Sequence, residues 1–224
     1  MFESVHVIGT GRAGGAISGR LRERGLRVTD GREPDSAAEL VLLCVSDAAI
    51  AAVAAATRPG PWIAHVSGAT RLSALDPHQR RFSLHPLQTL TRERGPEQLD
   101  GAWGAITGDS VEARARARWL AETLGLRPFE VADPDRTLYH AAAVIGGNFL
   151  VTLHDVAARL LDEVGAPSEA IVPLMMRTIE NGFDLTGPIA RGDWSTVEAH
   201  LAALEDSDPD LVPLYRALAE ATRP

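Results

Sequence analysis

The chain has 224 residues, 45% of them hydrophobic and 23% charged, with a formal net charge of -8 at pH 7. This profile is that of a globular protein and excludes a disordered tail, a collagen-like chain and a sequence-independent nucleic-acid binder. All 22 basic residues are arginines, and the lack of lysine excludes Schiff-base chemistry, a lysine general acid and a Walker A phosphate loop.

In chain order, β-branched and apolar runs at residues 5–8, 26–28, 40–45, 62–66, 82–84 and 102–106 read as strands. Helical stretches at 13–24, 48–56 and 111–124 separate them. Continuous apolar runs such as Val41-Leu42-Leu43-Cys44-Val45 suit a parallel sheet covered on both faces. The alternation predicts an α/β domain over residues 1–132, a doubly wound, Rossmann-like parallel sheet. From Asp133 the pattern is helical throughout and predicts a small all-helical domain over residues 133–224. Its first helix starts with Asp133 as cap and runs unbroken to Gly165. Further helices are read at 168–181, 195–204 and 210–221. So small a helical unit, led by a long apolar-striped helix, gains by packing on a second copy, so a homodimer through this domain is expected. No apolar run is read as reaching membrane-spanning length, and the N-terminus carries no signal-peptide pattern. The lone Cys44 and the scattered histidines give no metal site. The expectation is a cytoplasmic protein with a small-molecule substrate and no metal, membrane or nucleic-acid partner.

Gly9-Thr10-Gly11-Arg12-Ala13-Gly14 lies between the first strand and the first helix. There the first glycine permits a tight turn, the second lets backbone approach a diphosphate, and the third allows close helix–strand packing. Val45 and Ser46, at the end of the third strand run, are placed beside the same cofactor. At the end of the second strand an acid serves NAD and an arginine serves NADP. The chain offers Asp30-Gly31-Arg32, and with Arg32 in the loop beyond the strand, NADP(H) is favoured over NAD(H).

Several motifs go beyond the glycines: His65-Val66-Ser67-Gly68-Ala69, Ser83-Leu84-His85-Pro86-Leu87-Gln88, Tyr139-His140-Ala141-Ala142-Ala143 up to Asn148-Phe149-Leu150, and Leu185-Thr186-Gly187-Pro188-Ile189-Ala190-Arg191-Gly192-Asp193. Through them the chain resembles the Rossmann-like plus DUF2520 family. That family is related to the 6-phosphogluconate, β-hydroxyacid, ketopantoate and prephenate dehydrogenases. The resemblance implies hydride transfer between NADP(H) and a small carbonyl compound or hydroxy acid in an interdomain cleft. In the hydroxyacid and ketopantoate relatives a helical lysine is followed four residues later by asparagine. Asn148 fits the asparagine, but Val144 occupies the lysine position, so another group must deliver the proton.

His85 and His140 are the candidates for that donor, because imidazole exchanges protons near neutral pH. Parallel strands deliver their C-terminal ends to the ligand crevice, which favours His85 and, for substrate binding, Ser67. His140 and Asn148 are expected on one face of one helix, about 80° apart, with Asn148 orienting the substrate oxygen. Arg191 suits bidentate recognition of a carboxylate, and Asp193 is placed beside it at the substrate. Ser195 with Glu198 is read as a capping box, and His65 as a core residue. The leading function is reduction of a small 2-oxo acid such as ketopantoate. An imine or deazaflavin-linked reductase and a non-catalytic dinucleotide sensor are the alternatives.

Overall fold

A computed structural model describes residues 1–32, 35 and 37–223. The first strands and helices are β1 (Ser4–Ile8), α1 (Arg12–Glu23), β2 (Arg27–Asp30), β3 (Leu40–Leu43), α2 (Asp47–Ala56) and β4 (Trp62–His65). Then follow β5 (Arg81–Leu87), β6 (Trp103–Thr107), α3 (Val111–Thr123) and β7 (Arg127–Glu130). The sheet order is β2-β1-β3-β4-β5-β6-β7, so the order of strand addition switches sides between β1 and β3, which run parallel. That crevice receives ligands in open α/β sheets.

All four side chains of β3 are buried, because alternate residues point into different cores. Val5, Val7, Leu40, Leu42, Phe82 and Leu84 pack with Ile17 and Leu21 of α1 and with Leu120 of α3. Ile8, Val41, Leu43 and Ile63 pack on the opposite face with Ile50 and Ala54 of α2. The Rossmann-like expectation is therefore met, with one change of direction. The connection from β5 to β6 contains no crossover helix, and β6 returns antiparallel, as a pair joined without a crossover must. β7, parallel to β6, is absent from the sequence reading. It is a half-exposed edge strand containing Pro128, which gives neither an apolar run nor strict alternation.

The helical half of the chain holds α4 (Arg136–Gly146), α5 (Asn148–Glu163), α6 (Ile171–Glu180), α7 (Trp194–Ser207) and α8 (Val212–Ala221). The expected single helix from Asp133 is two helices. Gly147 ends α4 with its amide on the Ala143 carbonyl, 2.9 Å away, and adjacent glycines are where a helix interrupts most readily. Asp133 does not cap α4; its Oδ1 accepts from the Leu72 amide at 2.8 Å. The stretch Asp133–Glu163 spans 31 residues, and an 18-residue window within it reaches a mean hydropathy of 1.4. By length and composition alone that window passes for a spanning segment, which the sequence reading did not register, although the break at Gly147 falls inside the stretch.

The described chain packs as two compact units, Met1–Thr152 and Leu153–Pro224. The first keeps α4 and the start of α5 with the sheet, so packing divides the chain later than the change from strand to helix at residue 132. The second has a small core of Leu204, Leu211 and Val212, backed by Val156, Leu160 and Tyr215.

Candidate active site

At the C-terminal end of β1, Gly9 adopts φ +105°, and a Cβ there would lie 2.5 Å from the Cys44 carbonyl oxygen. A Cβ on Gly14 would lie 1.8 Å from the Gly9 carbonyl oxygen, whereas nothing stands within 4 Å of that position on Gly11. The three glycines thus supply turn, open approach and close packing, as read. α1 begins here without a side-chain cap and without an acid in its first turn, which leaves the helix N-terminus suited to a diphosphate. Val45 Cγ1 lies 3.3 Å from the Gly9 Cβ position, and the exposed Ser46 precedes α2. Thr10 and Arg12 are exposed around the loop and Ala13 is half-buried.

The end of β2 is more specific than the sequence indicates. Asp30 accepts from Ser18 Oγ at 2.8 Å and pairs with Arg22. Its charge is engaged by α1, while Arg32 is exposed.

A cavity of about 640 Å³ opens beyond the end of β5, and His85, His140 and Asn148 all line it. Tyr139, Phe129, Gln88, Val144 and Gly147 complete much of its wall. Although the helix breaks between His140 and Asn148, both residues face the same space. His85 Nδ1 lies 2.7 Å from the Tyr139 hydroxyl. The His85 ring meets Tyr139 and His140 edge-on, with centroids 5.6 and 5.9 Å away. Gly68 fits beneath both imidazoles; a Cβ there would lie 2.4 Å from His140 Cδ2 and 3.1 Å from His85 Nε2. Sequence reasoning found Gly68 in a motif but gave it no reason.

Burial pushes the His85 imidazole down to about 4, with His140 and Arg136 acting in the same direction. Burial likewise pushes the Tyr139 phenol up to about 12. The phenol therefore keeps its proton, and the uncharged imidazole can accept it in a hydrogen bond at Nδ1 while carrying its own proton on Nε2.

The proposed substrate ligands are placed as follows. Ser67 is buried, its Oγ donating to Thr70 Oγ1 at 2.9 Å and accepting the amides of Ala69 and Thr70; its hydroxyl shapes loop 67–70. Asp193 is the cap of α7, accepting from Thr196 N, Thr196 Oγ1 and Ser195 Oγ. These bonds hold its carboxyl below the usual carboxylate range, and Asp193 replaces the expected Ser195–Glu198 box. Arg191 Nη1 donates to the Thr186 carbonyl within its own loop. His65 is fully buried as expected, but neither ring nitrogen has a partner. Burial, with Arg136 and His85 nearby, pushes it down to about 3. No cluster of three metal-ligating side chains occurs among the described residues.

Arg136, which sequence reasoning passed over, is completely buried. Its Nε donates to Thr70 O at 2.6 Å, Nη1 to Ser83 Oγ at 2.6 Å and Thr107 Oγ1 at 2.7 Å, and Nη2 to Ser67 O.

A family model described as a domain of unknown function, DUF2520, matches residues 102–222. No curated protein matches the chain. A Bacteroides fragilis protein, provisionally described as an NADP oxidoreductase, has a similar structure, with TM-score 0.82 and 22% identity over 98% of this chain and 97% of that one. A reductive aminase from Aspergillus terreus, solved with NADPH and ethyl levulinate, gives TM-score 0.71 and 17% identity over 99% and 93%. The 1-pyrroline-5-carboxylate reductase of Streptococcus pyogenes gives TM-score 0.63 and 16% identity over 98% and 96%.

Proposed function

The chain belongs to the DUF2520 family, and from that premise we propose that it is an NADP(H)-dependent oxidoreductase that reduces a small carbonyl compound, a 2-oxo acid first among them. The observation that carries this reading is the hydrogen bond between Tyr139 and His85 at the mouth of a cavity also lined by His140 and Asn148. The dinucleotide would be held by Gly9–Gly14, with Val45 and Ser46 beside it and Arg32 at the 2′-phosphate. When bound, it supplies the hydride.

The chain's own residues supply the remainder. Tyr139 donates to Nδ1 and so fixes the ring of His85, leaving Nε2–H to bond and polarise the substrate oxygen. Asn148, which lines the same cavity, orients that oxygen. Neutral imidazole is a weak acid, so proton delivery improves when the ligands bring negative charge, which raises the histidine pKa. His140 stands beside His85, its ring centroid 5.9 Å away. Arg191 is our candidate for the substrate carboxylate.

Imine reduction is the second reading, favoured by the cavity wall itself. Among the described residues its lining includes histidine, tyrosine, glutamine and asparagine but neither arginine nor carboxylate, so the wall suits a substrate that carries no carboxylate beside its reacting C=N group. We further propose a homodimer in which a second copy covers apolar side chains exposed on α4 and at the start of α5, among them Leu138, Ile145 and Phe149. Large apolar side chains exposed on neighbouring turns commonly mark an interaction surface.

Thermal-shift titration with NADPH and NADH tests the cofactor, since a ligand of the folded state raises Tm according to its affinity. The expected result is a larger shift with NADPH, lost in Arg32→Ala. NADPH oxidation with ketopantoate and with a cyclic imine then separates the two substrate classes. Absence of any shift with either nucleotide overturns the proposal.

A further inference from the structure

Resting on the reading of His85 as the group that meets the substrate, a further residue can be assigned from beneath the site. Leu43, His65, Ser83 and Thr107 stand in one row across β3, β4, β5 and β6. Ser83 and Thr107 turn their hydroxyls to one guanidinium, that of Arg136 on α4. The same group takes the carbonyls of Ser67 and Thr70, the two ends of loop 67–70. All four acceptors are neutral oxygens, so the buried cation is solvated by hydrogen bonds and not neutralised by a carboxylate. Loop 67–70 carries Gly68, which packs against His85 and His140.

We propose that Arg136 is the positioning residue of this site, anchoring loop 67–70 beneath the two imidazoles and setting the charge that His85 faces from below. The guanidinium fork ties two strands, one loop and one helix together at the point where His85 emerges. Lysine, with a single ammonium and no planar fork, cannot reproduce those bonds. The cation also disfavours a second positive charge on His85. The groups that face His85 are Tyr139, His140 and Arg136 from α4, His65 from β4 and Asp47 from α2; the aspartate alone favours the charged ring.

The experiment is an imidazole nitrogen NMR titration of the full chain, from neutral to acid pH, with the His85 signal assigned by its loss in His85→Gln. It needs neither nucleotide nor substrate, so it can fail while the reductase reading stands, and the reverse. In Arg136→Met the midpoint of His85 should rise by about one pH unit, a tenfold change in proton affinity. Ser83→Ala keeps the charge and removes one bond, so it should leave the midpoint unchanged and mix the two His85 tautomers. A folded Arg136→Met with an unmoved midpoint overturns the proposal. If Arg136→Met does not fold, Arg136→Lys decides. Retained charge with a mixed tautomer supports the assignment, and a parental spectrum overturns it.

Discussion

The molecule contains the same side-chain pair twice. His85 Nδ1 and the Tyr139 hydroxyl are 2.7 Å apart in the sheet unit, and His200 Nδ1 and the Tyr215 hydroxyl are 2.7 Å apart in the helical unit. Ring geometry is also alike, at 80° and 85° between planes. What differs is the setting. The first pair is backed by Phe129, whose ring lies 5.8 Å from Tyr139, and is flanked by a second histidine and a buried arginine. The second is solvent-exposed, joining α7 to α8 at the edge of a small core. A histidine–tyrosine bond is therefore no signature of chemistry by itself; burial and neighbouring charge make the difference.

Removing each histidine sharpens this contrast most. His85→Gln should lower kcat by about a hundredfold to ten-thousandfold, the range for a lost proton-transfer group. His200→Gln should leave turnover unchanged, and equal losses in the two variants would erase the distinction. Next in size is the response to acid. His85 and His65 sit near 4 and 3 when folded, held there by burial, against about 6.5 in an unfolded chain. Depressed histidines bind fewer protons folded than unfolded, so their neutral state costs nothing above pH ~6.5 and stability falls as pH drops from there through the folded values. Tm should decline over that window, and His65→Leu should flatten the decline; a Tm independent of pH there contradicts the burial argument. Smaller still is the effect of the phenols. Tyr139→Phe should lower kcat by about fivefold to tenfold, roughly one hydrogen bond. Tyr215→Phe should change stability by less than about 0.5 kcal/mol, as surface substitutions do, when measured by urea unfolding.

How far each feature could be read from the sequence follows the distance over which it is specified. The glycine loop was legible because Gly9, Gly11 and Gly14 act within six consecutive residues, each through its own backbone. His85 was legible because a strand end followed by proline places it. Arg136 was not, since its acceptors lie 29 to 69 residues away in the chain and no local pattern marks a guanidinium that will be buried. Asp193 illustrates a different limit. Both it and Ser195 are good cap residues two positions apart, and only in the folded chain is it settled that the Asp193 carboxylate takes the Thr196 amide. The break at Gly147 was signalled by its glycine pair, but the apolar periodicity running through it outweighed that signal.

β5 lies where the sheet changes direction. Residues 81–83 pair with β4, while His85 pairs with Ala105 of β6, past the end of β4. The nucleotide fingerprint is complete within the first two strands and α1, but the backbone of His85 is held by a strand made later in the chain. The glycine loop and His85 therefore depend on different parts of the chain: a truncation before β6 leaves the loop's own strands and helix in the sequence but removes the partner that pairs with His85.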